Sequence, residues 1–155
     1  MKNAKKGENI TDVERTFGAL LRRPYQHLTA RVYERLAATG YSDIRPAHGA
    51  VFRHIAPEGL RITELADRAQ MTKQSMGYLV EYLREHGYVE LRPDPSDGRA
   101  KIACLTPRGE ALQQDALKIS REVERELAQL VGEEEIRLLR AHLERLNAQL
   151  KVLVS

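Results

Sequence analysis

ITELADRAQMTKQSMGYLVEYLREHGYVELRPDPSDGRAKIACLT, residues 62–106, decides the fold. It opens on a short segment, TELADRAQ, in which Leu65 and Ala66 face inward and Thr63 stands as the expected N-cap. The turn AQMT, 69–72, follows, and Thr72 has the right chemistry to cap the next helix. In that helix Met76, Leu79, Val80 and Leu83 fall at i, i+3, i+4 and i+7, and Gly87 ends it. Two strand-like runs come next, 88–92 and 99–105, joined by Pro, Asp, Ser, Asp and Gly. That is hairpin punctuation. The hairpin tip, DPSDGRAK (94–101), sets Asp97 two residues before Arg99, with Lys101 beyond.

Outward from this stretch the pattern becomes helical. Val13, Phe17, Leu20, Leu21, Leu28, Val32 and Leu36 recur at mostly three and four residues, which predicts a long amphipathic helix over 12–39, interrupted at Pro24. A second helix is expected over 46–56, with Ala47, Val51 and Ile55 on one face, broken by Pro57, Glu58 and Gly59. After the hairpin Thr106 is placed to cap a helix whose first position is Pro107, where a missing N–H costs nothing. Gly132 breaks that helix, and Glu133, Glu134 and Glu135 begin another at the positive end of its dipole. There Ile136, Leu139, Leu143, Leu146, Leu150 and Leu153 step by 3, 4, 3, 4 and 3, a heptad seam.

Composition bounds the class. The chain has 155 residues, 30% charged and 5% aromatic, with no Trp. One domain, 1–155, is expected, long enough to bury a core. No apolar run approaches membrane-spanning length. The first residues are basic without an apolar core, so 1–11 is expected to be a mobile tail rather than a secretory signal. Cys104 stands alone, which fits a reducing cytoplasm. It alternates with Ile102 and Ala100 and is expected to be a buried, inert thiol. Net charge is +3, yet residues 61–101 carry seven Lys/Arg and seven Asp/Glu. Any anion bound there meets a few placed cations, not a basic block.

Two short helices across a tight turn, the second followed by a hairpin, make a winged helix-turn-helix at 45–105. The fold class is therefore mainly α with a small β-hairpin wing, flanked by long helices at 12–42 and 106–155. The exposed start of the second helix offers Thr72, Lys73, Gln74, Ser75 and Tyr78. These are donors and acceptors suited to phosphates and base edges. A recognition helix enters the major groove with its N-terminal end foremost. Gly77 is unexpected mid-helix, since it costs about 1 kcal/mol against Ala. Either a DNA backbone passes close to it or the third helix packs tightly on it.

These residues carry a resemblance. RPAHGAVFRHI, the 62–106 stretch and the closing LTPRGEAL resemble the DNA-binding core of the MarR family of transcription regulators. The D-x-x-D-x-R wing followed by a strand and L-T-x-x-G is specific in combination, and with the long helices the resemblance spans nearly the whole chain. It implies that Arg99 enters the minor groove and that Asp97 orients its guanidinium. A surface salt bridge worth under about 1 kcal/mol is the competing reading of that pair. Arg92 and Lys101 are the expected phosphate contacts. Many relatives carry a basic residue where Tyr78 stands, so target preference is expected to differ.

The resemblance further implies a ligand-responsive repressor, a homodimer on a palindromic double-stranded operator, released by a small-molecule effector. The apolar stripes agree with a dimer, because three long stripes exceed what one small lobe can cover. Val13, Phe17, Leu20, Ile136, Leu139, Leu143, Leu146 and Leu150 are the candidate dimerisation residues. Tyr25 and His48 are the candidates for the effector site. No cofactor and no metal are expected: His27, His48, His54, His86 and His142 lack ligand spacing. No phosphate loop, nucleophile elbow or HExxH suggests an enzyme. The alternative is a winged helix that serves as a protein-interaction scaffold. Operator, effector identity and regulated genes are not legible.

Overall fold

The computed structural model describes residues 14–153. Among the described residues six α-helices and three short strands follow in chain order. Helix α1, Phe17–Ala38, is capped by Thr16, whose hydroxyl accepts from the Ala19 amide, and it runs through Pro24. It therefore starts five residues later than expected, and Val13 and the tail 1–11 lie outside the described residues. A 3-10 turn, Pro46–His48, leads into α2, Gly49–His54. Val51 and Ile55 are buried as expected, while Ala47 is exposed.

Helix α3 spans Ile62–Arg68 and α4 spans Lys73–Glu85. Thr63 is not the cap of α3. The cap position is Arg61, whose backbone N–H donates to Glu64 Oε2 at 3.1 Å. The turn to α4 closes by the Gln70 amide donating to Asp67 O and the Met71 amide to Ala66 O. That is a Schellman end, and Gln70 holds its left-handed position at φ 53°. The same pairing ends α4, where Gly87 takes φ 76° and Tyr88 N–H donates to Leu83 O.

Strand β1 is the dipeptide Leu60–Arg61, β2 is Val89–Asp94 and β3 is Asp97–Leu105. The sheet is antiparallel in the order β1-β3-β2, with Leu60 opposite Ala103 and Val89 opposite Leu105. Each arm reaches two residues further toward the tip than expected, the first starts one residue later, at Val89, and β1 adds an unexpected third strand. Helix α5, Pro107–Val131, is capped by Thr106 through the Gly109 amide at 3.1 Å, and α6 covers Glu133–Leu153 beyond Gly132.

One core joins these pieces. Leu65, Met76 and Leu83 are fully buried between α3 and α4, against Val51, Val80 and Val89. Truncating such a leucine to alanine costs about 2–5 kcal/mol. Tyr88 is buried beneath the start of α5. A Cβ at Gly109 would lie 2.1 Å from the Tyr88 carbonyl oxygen, so only glycine allows this approach. Leu112, Ile119 and Val123 of α5 and Leu36 of α1 close the core from above. Among the described residues no helix is long and apolar enough to cross a membrane.

Candidate nucleic-acid interface

The start of α4 is solvent-facing. Thr72 Oγ1 accepts from the Ser75 amide at 3.1 Å and donates to Ser75 Oγ at 2.9 Å. Gln74 Nε2 donates to the Tyr78 hydroxyl at 3.3 Å, and Tyr78 is 69% exposed. Lys73 is the first helical residue, and the first turn holds no acid. A lysine at the positive end of a helix dipole costs stability by itself, and the site suits an incoming phosphate. A Cβ built on Gly77 meets nothing within 4 Å. Tight packing against α3 is therefore not the reason for that glycine.

The wing differs in detail from the expected arrangement. Asp97 does bind Arg99, but by accepting its backbone N–H at 3.1 Å. Among the described residues the Arg99 guanidinium has no ion-pair partner. The carboxylates at the tip turn to Arg61 instead. Arg61 Nε lies 2.5 Å from Asp94 Oδ2, and Arg61 Nη2 lies 3.7 Å from Asp97 Oδ2. Asp94 Oδ1 accepts from both the Ser96 amide and its hydroxyl at 2.7 Å. These bonds, with the guanidinium, hold the Asp94 carboxyl down at about 2. No local pattern in the sequence pairs Arg61 with Asp94, because 33 residues separate them. The D-P-S turn chemistry was the only signal, and it named no partner.

Lys73, Arg99 and Lys101 are thus cations without a carboxylate within ion-pair distance among the described residues. Arg92 is not: its guanidinium pairs with Glu90 along the same strand.

This geometry matches known regulators. Residues 42–100 match the family model described as the MarR family. The chain is 32% identical over 117 residues to the transcriptional regulator HosA of Escherichia coli O111:H-, covering 74% of this chain and 83% of that one. The chain belongs to the MarR family. Its fold is that of CouR bound to a 23-mer DNA duplex, at TM-score 0.69 and 22% identity over 94% of this chain and 99% of that one. CouR from Rhodococcus jostii RHA1 bound to p-coumaroyl-CoA superposes at 0.66 with 24% identity, covering 86% and 93%. The MarR-family chain is accordingly a transcription regulator.

Away from the wing this MarR-family chain has a cavity of about 640 Å³ between α1, α2, α5 and α6. Tyr25 lines it, as do Val32, Phe52, Arg53 and Leu112, together with Ile136, Leu139 and Leu143 of the heptad seam. His48 does not. It is buried under the recognition helix, where its ring stacks on Tyr82 at 4.5 Å and Tyr82 stacks on His86 at 4.0 Å. Its Nδ1 accepts the Arg45 amide at 3.0 Å. Burial, helped by Arg45, keeps its pKa below the ordinary histidine value, so it is a neutral packing residue. Its neighbour Gly49 reaches the cavity beside the Tyr33 hydroxyl.

The seam residues divide by exposure. Phe17 (64%), Leu20, Leu139 and Leu150 are exposed, while Ile136, Leu143 and Leu146 are half-buried. Cys104 is buried beside Gly59, and burial raises its thiol pKa, in keeping with an inert residue. Among the described residues no His, Cys, Asp and Glu group could hold a metal ion.

Proposed function

We propose that two copies of this chain join through α1, α5 and α6 and bind a palindromic operator as a cytoplasmic repressor. The observation that carries this is the set of unpaired cations. Lys73, within the exposed polar run Thr72–Ser75 at the head of α4, and Arg99 and Lys101 on the wing are exposed and, among the described residues, have no carboxylate at ion-pair distance. Cations left free at a helix N-terminus and a hairpin tip are placed for phosphates and grooves. In this reading Thr72, Lys73, Gln74, Ser75 and Tyr78 meet the major groove. Arg99 enters the minor groove, where it responds to groove width and favours narrow A·T tracts. Lys101 meets phosphate. Arg92 does so after exchanging Glu90 for it. Gly77 leaves room for a DNA backbone.

Dimerisation is supported by the large apolar side chains left exposed. Among the described residues all of them lie on α1, α5 or α6 except Tyr78. Helix pairs joined this way set two recognition helices about 34 Å apart, one duplex turn. A small molecule in the cavity would bear on α2 and on the dimer helices together, shifting that spacing and releasing the operator. Selection of bound duplexes from a random pool, repeated with candidate ligands, tests the whole reading. The expected result is an inverted repeat with affinity that falls steeply as salt rises. A pool that never enriches would refute it.

A further inference from the structure

We propose that Arg61 is the positioning residue of the wing: it clamps the hairpin tip, and through it Arg99, at a set distance from the recognition helix. This rests on the DNA-binding reading of the wing and adds to it the device that sets the wing's reach.

The hairpin needs such a device. Strand β1 supports the sheet only at Leu60 and Arg61, opposite Ala103 and Ile102. Beyond that point the wing is two strands alone, and the register slips between Pro93 and Asp94. A free two-stranded ribbon is marginal in water. Arg61 stands where support ends. Its guanidinium takes Asp94 from one arm and Asp97 from the other, at 2.5 and 3.7 Å. Asp97 in turn holds the Arg99 amide. The chain of contacts thus runs from Arg61 through Asp97 to the backbone of the groove-reading arginine.

The other end of the chain is rigid. Arg61 is the cap of α3, with its own amide held by Glu64. The Schellman turn at Gln70 joins α3 to α4 without slack. Arg99 and Lys73 are therefore tied through one residue.

Charge gives a second reason. The tip 94–101 carries Asp94, Asp97, Arg99 and Lys101, which sum to zero. Two carboxylates pushed at a duplex would repel phosphate. Arg61 supplies the third cation and occupies those carboxylates, leaving Arg99 free for DNA. Lysine could not replace it, because one ammonium cannot span two carboxylates as a planar fork does.

The test uses the full-length dimer and the duplex selected by the wild-type protein. Arg61→Lys keeps the charge and loses the two-point clamp. It is expected to weaken binding about tenfold, the scale of one lost groove contact, with the salt slope unchanged. Added to Arg99→Ala, it should cost less than about twofold more, because both changes act on one contact. Amide relaxation of Gly98 and Arg99 in the free protein should show a more mobile tip. Asp94→Asn, which removes the buried partner, should reproduce this pattern and carries the test should Arg61→Lys not fold. Losses that add to those of Arg99→Ala, or a tip as ordered as in wild type, would overturn the assignment. A wild-type protein that binds no duplex would refute the functional reading alone, since the relaxation measurement still decides whether Arg61 orders the tip.

Discussion

The lobe from Ile44 to Leu105 and the helix α6 are both amphipathic in sequence, yet they fold to opposite ends. In the lobe the apolar faces close on one another: Val51, Leu65, Met76 and Leu83 are each shielded from water. In α6 not one residue from Glu133 to Leu150 is buried. Helix α5 contains both behaviours. In its first part Leu112, Ile119 and Val123 are in the core, and at its end Leu130 is 83% exposed. Short elements that turn back on themselves satisfy their stripes within one chain. Long helices that run past the core carry stripes only another surface can cover. In the proposed reading the lobe meets DNA, and the bare helices set how far apart two lobes stand.

The largest expected effect comes from attacking the bare part. Leu139→Glu combined with Leu143→Glu should leave monomers by sedimentation and lower operator affinity about a hundredfold or more, the usual scale of lost bivalency. Dimers with full affinity would mean that α6 does not hold the copies together. Next comes the lobe's own contact. Arg99→Ala should lose about ten- to a hundredfold in operator affinity, read by fluorescence anisotropy, with the dimer intact. Wild-type binding there would remove the wing from the interface.

Smaller effects separate folding from reading inside the lobe. Gly77→Ala has open space for its methyl, so it should raise the free protein's stability by up to about 1 kcal/mol in thermal unfolding. If a DNA backbone passes there, affinity falls several-fold; unchanged affinity would argue against that passage. The least effect is at the acid limb. Asp94 titrates near 2, below the ordinary carboxylate value of about 3.9. A depressed carboxylate adds stability above its unfolded pKa and loses it as pH falls through the folded one. Urea midpoints should therefore drop between about pH 5 and pH 2, and Asp94→Asn should flatten that limb.

Much of the fold was legible because its signals are local. Thr72 and Thr106 cap helices through amides three residues on, and Gly87 supplies a left-handed end that only one residue type takes freely. Gln70 does the same task at φ 53° with no signal in its residue type, since glutamine has no such habit and the Ala66 and Asp67 carbonyls impose it. Residue type alone points to Thr63 as a cap, whereas strand β1 fixes the entrance of α3 two residues earlier, at Arg61. Asp97 holds the Arg99 amide while its carboxylate faces the Arg61 guanidinium, because adjacency in the chain is a poor guide to ion pairing across a sheet.

Periodicity and capping chemistry, which act over three or four residues, determined by themselves the helix pair, the hairpin and the long seams of this chain. Only the tertiary structure decided that Arg61 meets Asp94, that His48 is sealed against Tyr82 rather than facing the cavity, and that Gly77 opens to solvent. Those outcomes depend on which distant surfaces come together, and no local pattern carries that information.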